Sequence, residues 1–314
     1  MGPLIIESDL NYVKAPEEGE EWLQHYIPGS AGIHRLKTEP RSVEITDIRG
    51  LEQQFHWDTQ GFQVIKAKPL DREIFDQDNR EVASRMAAQA VERLKEVQVV
   101  DTGASYVLMF NHVTRFEPPE KLEKLPKEMP DEAMFPYMGP FASVHVDQSY
   151  RGGKYIVNNF KHMPEVAKRL TKTGTTCRFG VINLWQPVSP ITRDALALCD
   201  RRSVDEQDLR PWESHPDPKQ WDPKLPLPLS EIWRPMYNPK HKWYYASELQ
   251  TDEALLIKCF DTKLDEHSRA VPHSAFKSSS DYGPPRESVE FRCLVFWDDE
   301  PFCDERAFLN PERN

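Results

Sequence analysis

Residues 141–147 read Phe-Ala-Ser-Val-His-Val-Asp, which places His145 and Asp147 two positions apart in an extended, mostly apolar run. Side chains two residues apart on a strand point to the same face. A further histidine, His273, lies 126 residues beyond Asp147 in a second extended segment, Val271-Pro-His-Ser-Ala-Phe276. Two imidazoles and one carboxylate leave three metal coordination positions open, as in non-haem Fe(II) oxygenases. The sequence therefore predicts an iron site formed by His145, Asp147 and His273.

A second pattern begins shortly after His273, where the sequence reads Pro284-Pro-Arg-Glu-Ser-Val-Glu-Phe-Arg292. Arg286 and Ser288 share a strand face by the same two-residue spacing. A guanidinium fork beside a hydroxyl suits a single carboxylate, which predicts a site for the far carboxylate of 2-oxoglutarate. Arg292 lies six residues after Arg286 and would point to the same face of the strand. It is a second candidate for that anion, so the choice between the two arginines stays open. A plain Arg–Glu pair on the barrel wall is the alternative for either one.

Other residues compete for the third ligand position or for contact with substrate. His241 and His267 lie in turn-like or charged stretches, so His273 is the preferred distal ligand. Three residues are candidates for substrate contact: the polar Asn183 and the aromatic residues Trp185 and Tyr244. Asn183 and Trp185 would point to the same face of a strong predicted strand. Aromatic residues in such runs more often belong to the core, and a buried amide needs a partner.

Composition limits the partners that this chain can bind. The 314 residues carry a formal net charge of −11, and hydrophobic residues make up 39%. That balance disfavours nucleic acid or an anionic membrane, either of which would need a basic patch. We expect a small-molecule substrate instead. The five cysteines form no Cys-x-x-Cys motif, and the N-terminus shows neither a signal peptide nor a membrane-spanning stretch, which predicts a reducing, cytoplasmic location. The oligomeric state stays open.

Hydrophobic periodicity predicts many short strands in the second half of the chain and helices before them, which is typical of a β-barrel or sandwich flanked by helices. Helices are predicted at 74–97 and 160–171. The predicted strands are 42–48, 61–66, 105–113, 141–147, 178–185, 196–200, 243–247, 254–260, 270–276 and 288–297.

No composition shift marks a second domain, so residues 1–314 are expected to form one oxygenase domain. Residues 1–135 would supply N-terminal helix and strand elaborations, and residues 136–314 the core with the metal motif. Two loops, 130–140 and 203–229, are candidates to cover the barrel mouth. Their aromatic residues would form an apolar wall of the pocket, or would only seal the core; they are Phe135, Tyr137 and Trp212.

The chain resembles the fungal hydroxylase/desaturase family of secondary-metabolite clusters, whose members include a gibberellin desaturase and which is similar to a bacterial protein of cephamycin biosynthesis. The matching segments run in order from about residue 135 to the C-terminus. They are His145-Val-Asp147, Ile182-Asn-Leu-Trp185-Gln-Pro187, Trp243-Tyr-Tyr245, Asp252-Glu-Ala-Leu-Leu-Ile-Lys-Cys-Phe-Asp261, Pro272-His-Ser-Ala-Phe276 and Pro285-Arg-Glu-Ser-Val-Glu-Phe-Arg292.

This resemblance implies a double-stranded β-helix (jelly-roll, cupin-like) core in a mainly β, α+β protein. It also implies Fe(II), 2-oxoglutarate and O2 chemistry, with ascorbate as a possible reductant. Members of the family hydroxylate, desaturate or close rings. The resemblance therefore implies oxidation of an unactivated C–H bond in a small secondary-metabolite precursor without fixing the outcome.

Three other functions fit parts of the same pattern. An Fe(II) oxidase with the same triad would need no 2-oxoglutarate and would use Arg286 and Ser288 to hold a substrate carboxylate. A zinc hydrolase also uses two histidines and a carboxylate, but it would need a general base beside the metal. A non-catalytic, small-molecule-binding barrel is the third alternative. Succinate formation and dependence on ferrous iron and O2 separate these functions.

Overall fold

The computed structural model describes residues 3–18, 25–72, 102–170, 176–214, 230–263 and 269–302. Within these ranges the strands, in chain order, are β1 (Ile5–Val13), β2 (His25–Tyr26), β3 (Thr38–Asp47), β4 (Phe62–Lys66), β5 (Tyr106–Arg115), β6 (Cys177–Pro187), β7 (Leu196–Cys199), β8 (Leu209–Ser214), β9 (Ser230–Pro235), β10 (Trp243–Tyr245), β11 (Glu253–Asp261), β12 (His273–Ala275) and β13 (Ser288–Pro301). The helices of the same ranges are α1 (Glu120–Glu123), α2 (Tyr150–Asn159) and α3 (Pro164–Ala167). No helix in this described part is both long and apolar enough to cross a bilayer.

Two five-stranded sheets form the body of the protein, in the orders β1-β3-β10-β7-β12 and β4-β11-β6-β13-β5. Their strands pair antiparallel except where β10 runs parallel to β3. The main core cluster contains side chains from both sheets. The mainly β architecture confirms the predicted barrel or sandwich. Both sheets take strands from either side of residue 136, while the single-domain organisation stays a prediction.

Strand β6 is the centre of the second sheet and is buried along its whole length. Its side chains alternate between two hydrophobic clusters, because successive residues of a strand point to opposite faces. Phe179, Val181 and Trp185 join the main core cluster. Ile182 and Leu184 join a second cluster on the other face. Asn183 points to the same face as Phe179, Val181 and Trp185, so the strand presents one buried amide to the interior between the sheets.

A third sheet, ordered β2-β8-β9, packs beside the segment that follows residue 141. Val146 exchanges two backbone hydrogen bonds with Trp233 of β9. Helix α2 lies against the same strand and begins after Ser149, whose side chain accepts a hydrogen bond from the Gly152 amide at 2.9 Å. A Cβ atom at Gly152 would lie 2.1 Å from the carbonyl oxygen of Glu231, so only glycine allows this close packing.

Two of the predicted elements are wrong. The helix expected at 160–171 is instead α2, which starts ten residues earlier, followed by the single turn of α3. Residues 141–147 do not form a strand; they are extended and make isolated bridges at His145 and Val146. The other predicted strands are confirmed with small shifts of their ends. The helix predicted at 74–97 and residues 215–229 lie outside the described residues, while residues 203–214, expected to be a surface loop, include β8.

Candidate metal centre

The three predicted ligands lie side by side in the interior. The backbone amide of His145 donates to the carbonyl of His273 at 3.2 Å, and the reverse bond measures 2.9 Å. This pairing brings the two imidazole centroids to 4.3 Å. The Asp147 carboxylate lies 3.5 Å from Nε2 of His145 and 3.9 Å from Nε2 of His273. All three side chains are buried, and one ligand atom from each lies within 4.8 Å of the others.

Both imidazoles are oriented by backbone carbonyls two residues earlier in the chain. Nδ1 of His145 lies 2.8 Å from the Ser143 oxygen, and Nδ1 of His273 lies 3.0 Å from the Val271 oxygen. A carbonyl only accepts, so each Nδ1 carries a proton, which leaves Nε2 as the nitrogen with the lone pair in a neutral ring. Burial, together with the nearby His145, lowers the pKa of His273 to about 4. The ring is therefore neutral at neutral pH, which is the form that binds a metal.

Asp147 is held by donors from two neighbouring strands. Nδ2 of Asn183 donates to Oδ2 at 2.5 Å, and Nη2 of Arg292 donates to Oδ1 at 3.2 Å. Burial alone would raise the pKa of Asp147, but the charge of Arg292 and the two histidines outweigh it and hold that pKa well below its ordinary value. The carboxylate is therefore charged. Asn183 orients this carboxylate, while its own Oδ1 has no partner among the described residues, and its predicted contact with substrate or cosubstrate stays a prediction.

We expect Asn183→Ala to weaken Fe(II) binding by about 10- to 100-fold, the usual cost of losing a hydrogen-bond partner behind a metal ligand. The measurement is an anaerobic Fe(II) titration of the purified variant. Asn158→Ala is the matched control, because Asn158 lies exposed on α2. Equal affinity in the two variants would show that the amide does not position Asp147.

Arg286 lies in the same interior and has no carboxylate partner among the described residues. It is 3% exposed, and its guanidinium lies 5.4 Å from the centroid of the Trp185 ring. Nη1 donates to the Asp194 carbonyl at 2.6 Å, but Nε has no partner. The hydroxyl of Ser288, which is fully buried, has none either. Burial, followed by the charge of Arg115, lowers the pKa of Arg286 to about 10, so the group stays cationic at neutral pH.

Arg292, the competing arginine, is already engaged. Its Nε donates to Glu290 at 2.7 Å while Nη2 donates to Asp147. Burial lowers the pKa of Arg292, but these two carboxylates outweigh that effect and raise it. The sequence predicts Arg286 with Ser288 as the carboxylate site and leaves Arg292 as an open alternative. The structure distinguishes them, because only Arg286 has an unpaired donor next to an unpaired hydroxyl.

Arg115 is a further cation at this site that sequence reasoning missed. It lies at the end of β5, directly opposite Ser288 in the β5–β13 register. Its Nη1 donates to the Gly139 carbonyl at 3.2 Å. Burial lowers its pKa, against the opposing charge of Glu290. The only signal available in the sequence was that an arginine ends a strand-like run.

The predicted substrate-contact residues fall in two places. Trp185 lies beneath Arg286 at the edge of the main core cluster. Tyr244 packs against the core aromatics Phe55, with ring centroids 4.9 Å apart, and Phe62, at 6.0 Å, so its described contacts do not support a role with substrate. Tyr137 packs on His34 with the ring centroids 5.5 Å apart, as part of the 130–140 loop.

A cavity of about 700 Å³ lies between the β2-β8-β9 sheet and residues 30–37, and Trp212 contributes to its wall. The role of Trp212 in a substrate pocket stays a prediction. The described lining of this cavity includes none of the three candidate ligands. The geometric link between the two is the backbone pairing of Val146, which lies between His145 and Asp147, with Trp233, which precedes Arg234 of the cavity wall. Burial raises the pKa of Tyr26, another lining residue, to about 12.

A family model described as an oxidoreductase/YMDC permease-like domain matches residues 10–296. The hydroxylase/desaturase efuI of Hormonema carpetanum is 38% identical over 299 residues, which cover 94% of this chain and 96% of the relative. The chain belongs to the fungal hydroxylase/desaturase family. Another relative, the Fe(II)/2-oxoglutarate-dependent dioxygenase nvfI of Aspergillus novofumigatus, is 28% identical over 300 residues, 92% of this chain and 96% of nvfI.

A solved structure of the iron and alpha-ketoglutarate-dependent endoperoxidase NvfI is similar to this fold, with a TM-score of 0.68 at 20% identity across 93% of this chain and 98% of that chain. This likeness confirms the predicted jelly-roll core. The resemblance seen in the sequence is also confirmed, and the hydroxylase/desaturase family makes this chain an oxidoreductase of the Fe(II)/2-oxoglutarate class. An enzyme of this class is favoured over a zinc hydrolase or a non-catalytic barrel.

Proposed function

We propose that the enzyme holds Fe(II) through Nε2 of His145, a carboxylate oxygen of Asp147 and Nε2 of His273. The observation that carries this proposal is the convergence of these three atoms in a buried cluster whose protonation suits a cation. Nδ1 of each imidazole donates to a backbone carbonyl, and the carboxylate is charged. Two nitrogens and one oxygen are a donor set that ferrous iron accepts, with positions left for other ligands.

We also propose that Arg286 and Ser288 bind the far carboxylate of 2-oxoglutarate. An unpaired guanidinium nitrogen and an unpaired hydroxyl, both buried, would each gain the hydrogen bond that they lack. Arg115, across the strand pair from Ser288, adds positive charge to the same region. When bound, iron, 2-oxoglutarate and O2 together supply the oxidising power, with succinate and CO2 as co-products.

The protein side chains position the metal ligands, and the surrounding sheets limit access of water to the site. Asn183 donates to Oδ2 and Arg292 to Oδ1 of Asp147, so that the ligand is charged and oriented before metal binds. Arg292 is engaged by Glu290 and Asp147, whereas Arg286 has no carboxylate partner among the described residues and can accept one from a ligand. The surrounding sheets exclude bulk water, which protects a strongly oxidising centre from side reactions.

The substrate that we propose is a small organic molecule with an unactivated C–H bond, bound in the 700 Å³ cavity beside Tyr26. Hydroxylation, desaturation and oxidative ring closure all begin with loss of a hydrogen atom from such a bond, and the relatives' names include hydroxylase, desaturase and endoperoxidase. We further propose a single domain and a cytoplasmic location, which the buried cysteines Cys177, Cys199, Cys259 and Cys293 support.

An anaerobic titration tests this function. Adding Fe(II) and then 2-oxoglutarate to the purified enzyme is expected to produce a visible metal-to-ligand charge-transfer band, and admission of O2 is expected to release succinate. Turnover that depends on Fe(II) and O2 but gives neither the band nor succinate would favour the Fe(II) oxidase that does not use 2-oxoglutarate. Full activity with Zn(II) and no O2 would overturn the oxygenase assignment.

A further inference from the structure

Arg234 lies on β9, and its guanidinium lines the 700 Å³ cavity. Its neighbour Trp233 pairs through its backbone with Val146, which lies between two of the candidate metal ligands. Strand β9 therefore fixes the position of Arg234 relative to the metal centre. The residue is 5% exposed, and its guanidinium carbon lies 5.0 Å from the centroid of the Trp212 ring.

This buried cation has no acidic partner in the part of the chain that the structure describes. Its Nη2 makes no hydrogen bond, and neither does Nε1 of the adjacent Trp212. Burial alone lowers the pKa of Arg234 to about 10, with no carboxylate opposing the shift. A buried charge without an anion is strongly unfavourable, and the ring face of Trp212 offsets only part of that cost. Two unpaired donors at one end of a cavity thus point to an anionic ligand.

Four charged side chains of the cavity wall are exposed at the surface; they are Lys14, Lys37, Asp131 and Glu132. Most of the remaining wall is apolar. Tyr26 lies over Trp212 with ring centroids 4.0 Å apart, and Ile27, Ile33 and Leu36 contribute aliphatic surface. The acidic Asp131 at the rim is paired with Arg35 at 2.8 Å and does not reach Arg234 by an ion pair. A ligand for this cavity would therefore be mostly apolar, with one anionic end.

We propose that Arg234 and Nε1 of Trp212 bind a carboxylate of the substrate, and that the enzyme oxidises a C–H bond elsewhere in that carboxylic acid. One guanidinium and one indole N–H match a planar monoanion. The other cations of the lining are exposed, as Lys14 and Lys37 are, or paired with an acid, as Arg35 is with Asp131, so Arg234 is the buried cation that a phosphate dianion would find insufficient. This inference rests on the proposed function, because it takes this cavity as the substrate site. It assigns a second anion to the enzyme, separate from the 2-oxoglutarate carboxylate at Arg286.

The test compares acids with their methyl esters on the enzyme loaded anaerobically with Fe(II) and saturating 2-oxoglutarate. The probes are benzoate, 1-naphthoate and dodecanoate, each titrated calorimetrically beside its ester. Saturating 2-oxoglutarate blocks the Arg286 site, so binding there does not interfere. We expect at least one acid to bind at least about tenfold more tightly than its ester, the scale of one charge-assisted contact.

Arg234→Leu is expected to remove the preference for acid over ester. Arg234→Lys should retain part of it, because the charge stays while the fork is lost. Arg210→Leu is the matched control: Arg210 pairs with Arg234 in the β8–β9 register and donates to the Gln207 carbonyl at 2.5 Å. The control should keep the wild-type preference.

Two outcomes would overturn the carboxylate assignment: no acid binding more tightly than its ester in the wild type, or a preference that Arg234→Leu leaves unchanged. The wild-type comparison needs no variant, so a folding defect in Arg234→Leu cannot hide the answer. The charge-transfer band of the loaded enzyme reports separately on the proposed function. Its absence from the wild type would count against Fe(II) and 2-oxoglutarate binding, whereas an acid preference that the metal-free protein shows and Arg234→Leu loses would still support the Arg234 site.

Discussion

His145→Ala, Asp147→Ala and His273→Ala are each expected to abolish turnover, with Fe(II) affinity falling by more than about a hundredfold. Loss of a partner behind a metal ligand already costs up to about a hundredfold in affinity, and loss of the ligand itself should cost more. Each side chain supplies one of the three atoms that lie within 4.8 Å of one another. The measurements are Fe(II) binding by anaerobic titration and succinate formation under O2.

The fold should survive these substitutions, because the sheets are held by backbone pairing and by the apolar core. Thermal unfolding of each variant checks this. Asp147→Asn is included because it keeps the shape of the side chain and leaves an oxygen for Arg292. His112→Ala is the matched control, since His112 is exposed on β5. Near-normal activity in His273→Ala, together with loss in His267→Ala, would show that the distal ligand was assigned to the wrong histidine.

The triad was predictable because its signal is local. Two residues of one extended segment share a face by the geometry of the chain, and the second histidine lies in a run of the same kind. The structure adds two features that residue spacing does not contain. One is the long-range backbone pairing of His145 with His273, and the other is the pair of carbonyls that orient both rings. These contacts depend on which strands become neighbours, which no single segment encodes.

The wrong helix prediction has a physical cause. Phe160, Met163 and Val166 recur at helical spacing, but Pro164 lacks an amide proton and ends any helix that would continue through it. The true helix α2 contains Gly152 and Gly153, which lower helix propensity and conceal it in the sequence. Those glycines are tolerated because β9 and β11 approach the helix too closely for a side chain at either position.

The burial of three arginines could not be derived from the sequence, although it predicts Arg286 as an anion-binding residue. Arg234 and Arg286 are buried and Arg115 is half-buried. Arg115, Arg234 and Arg286 each occur in a polar or mixed stretch, where an exposed arginine is the ordinary expectation. Only the tertiary structure shows which of them lacks an anion. Arg234 in particular owes its burial to the sheet formed by β2, β8 and β9, and β8 falls in a Pro-rich stretch that the sequence analysis assigned to a surface loop.

Arg286→Ala is expected to raise the 2-oxoglutarate concentration needed for half-maximal activity by at least about tenfold. A hydrogen bond to a charged group contributes about 1.5–3 kcal/mol, and each 1.4 kcal/mol is a factor of ten. The metal site should remain, because no hydrogen bond or ion pair joins Arg286 to the triad in the described residues. Fe(II) titrations of the variant and the wild type should therefore agree, while 2-oxoglutarate titrations of the two differ.

Arg292→Ala is the matched comparison, and the expected defect is of a different kind. Arg292 pairs with Asp147 and Glu290, so its removal leaves two buried carboxylates without their shared cation. Repulsion between them would raise the pKa of Asp147, and Fe(II) affinity should fall while 2-oxoglutarate binding to the iron-loaded enzyme changes little. The reverse pattern, with the 2-oxoglutarate defect in Arg292→Ala and none in Arg286→Ala, would make Arg292 the anchor. The two variants differ in their expected defects because Arg292 already pairs with two carboxylates of the protein, whereas Arg286 pairs with none among the described residues.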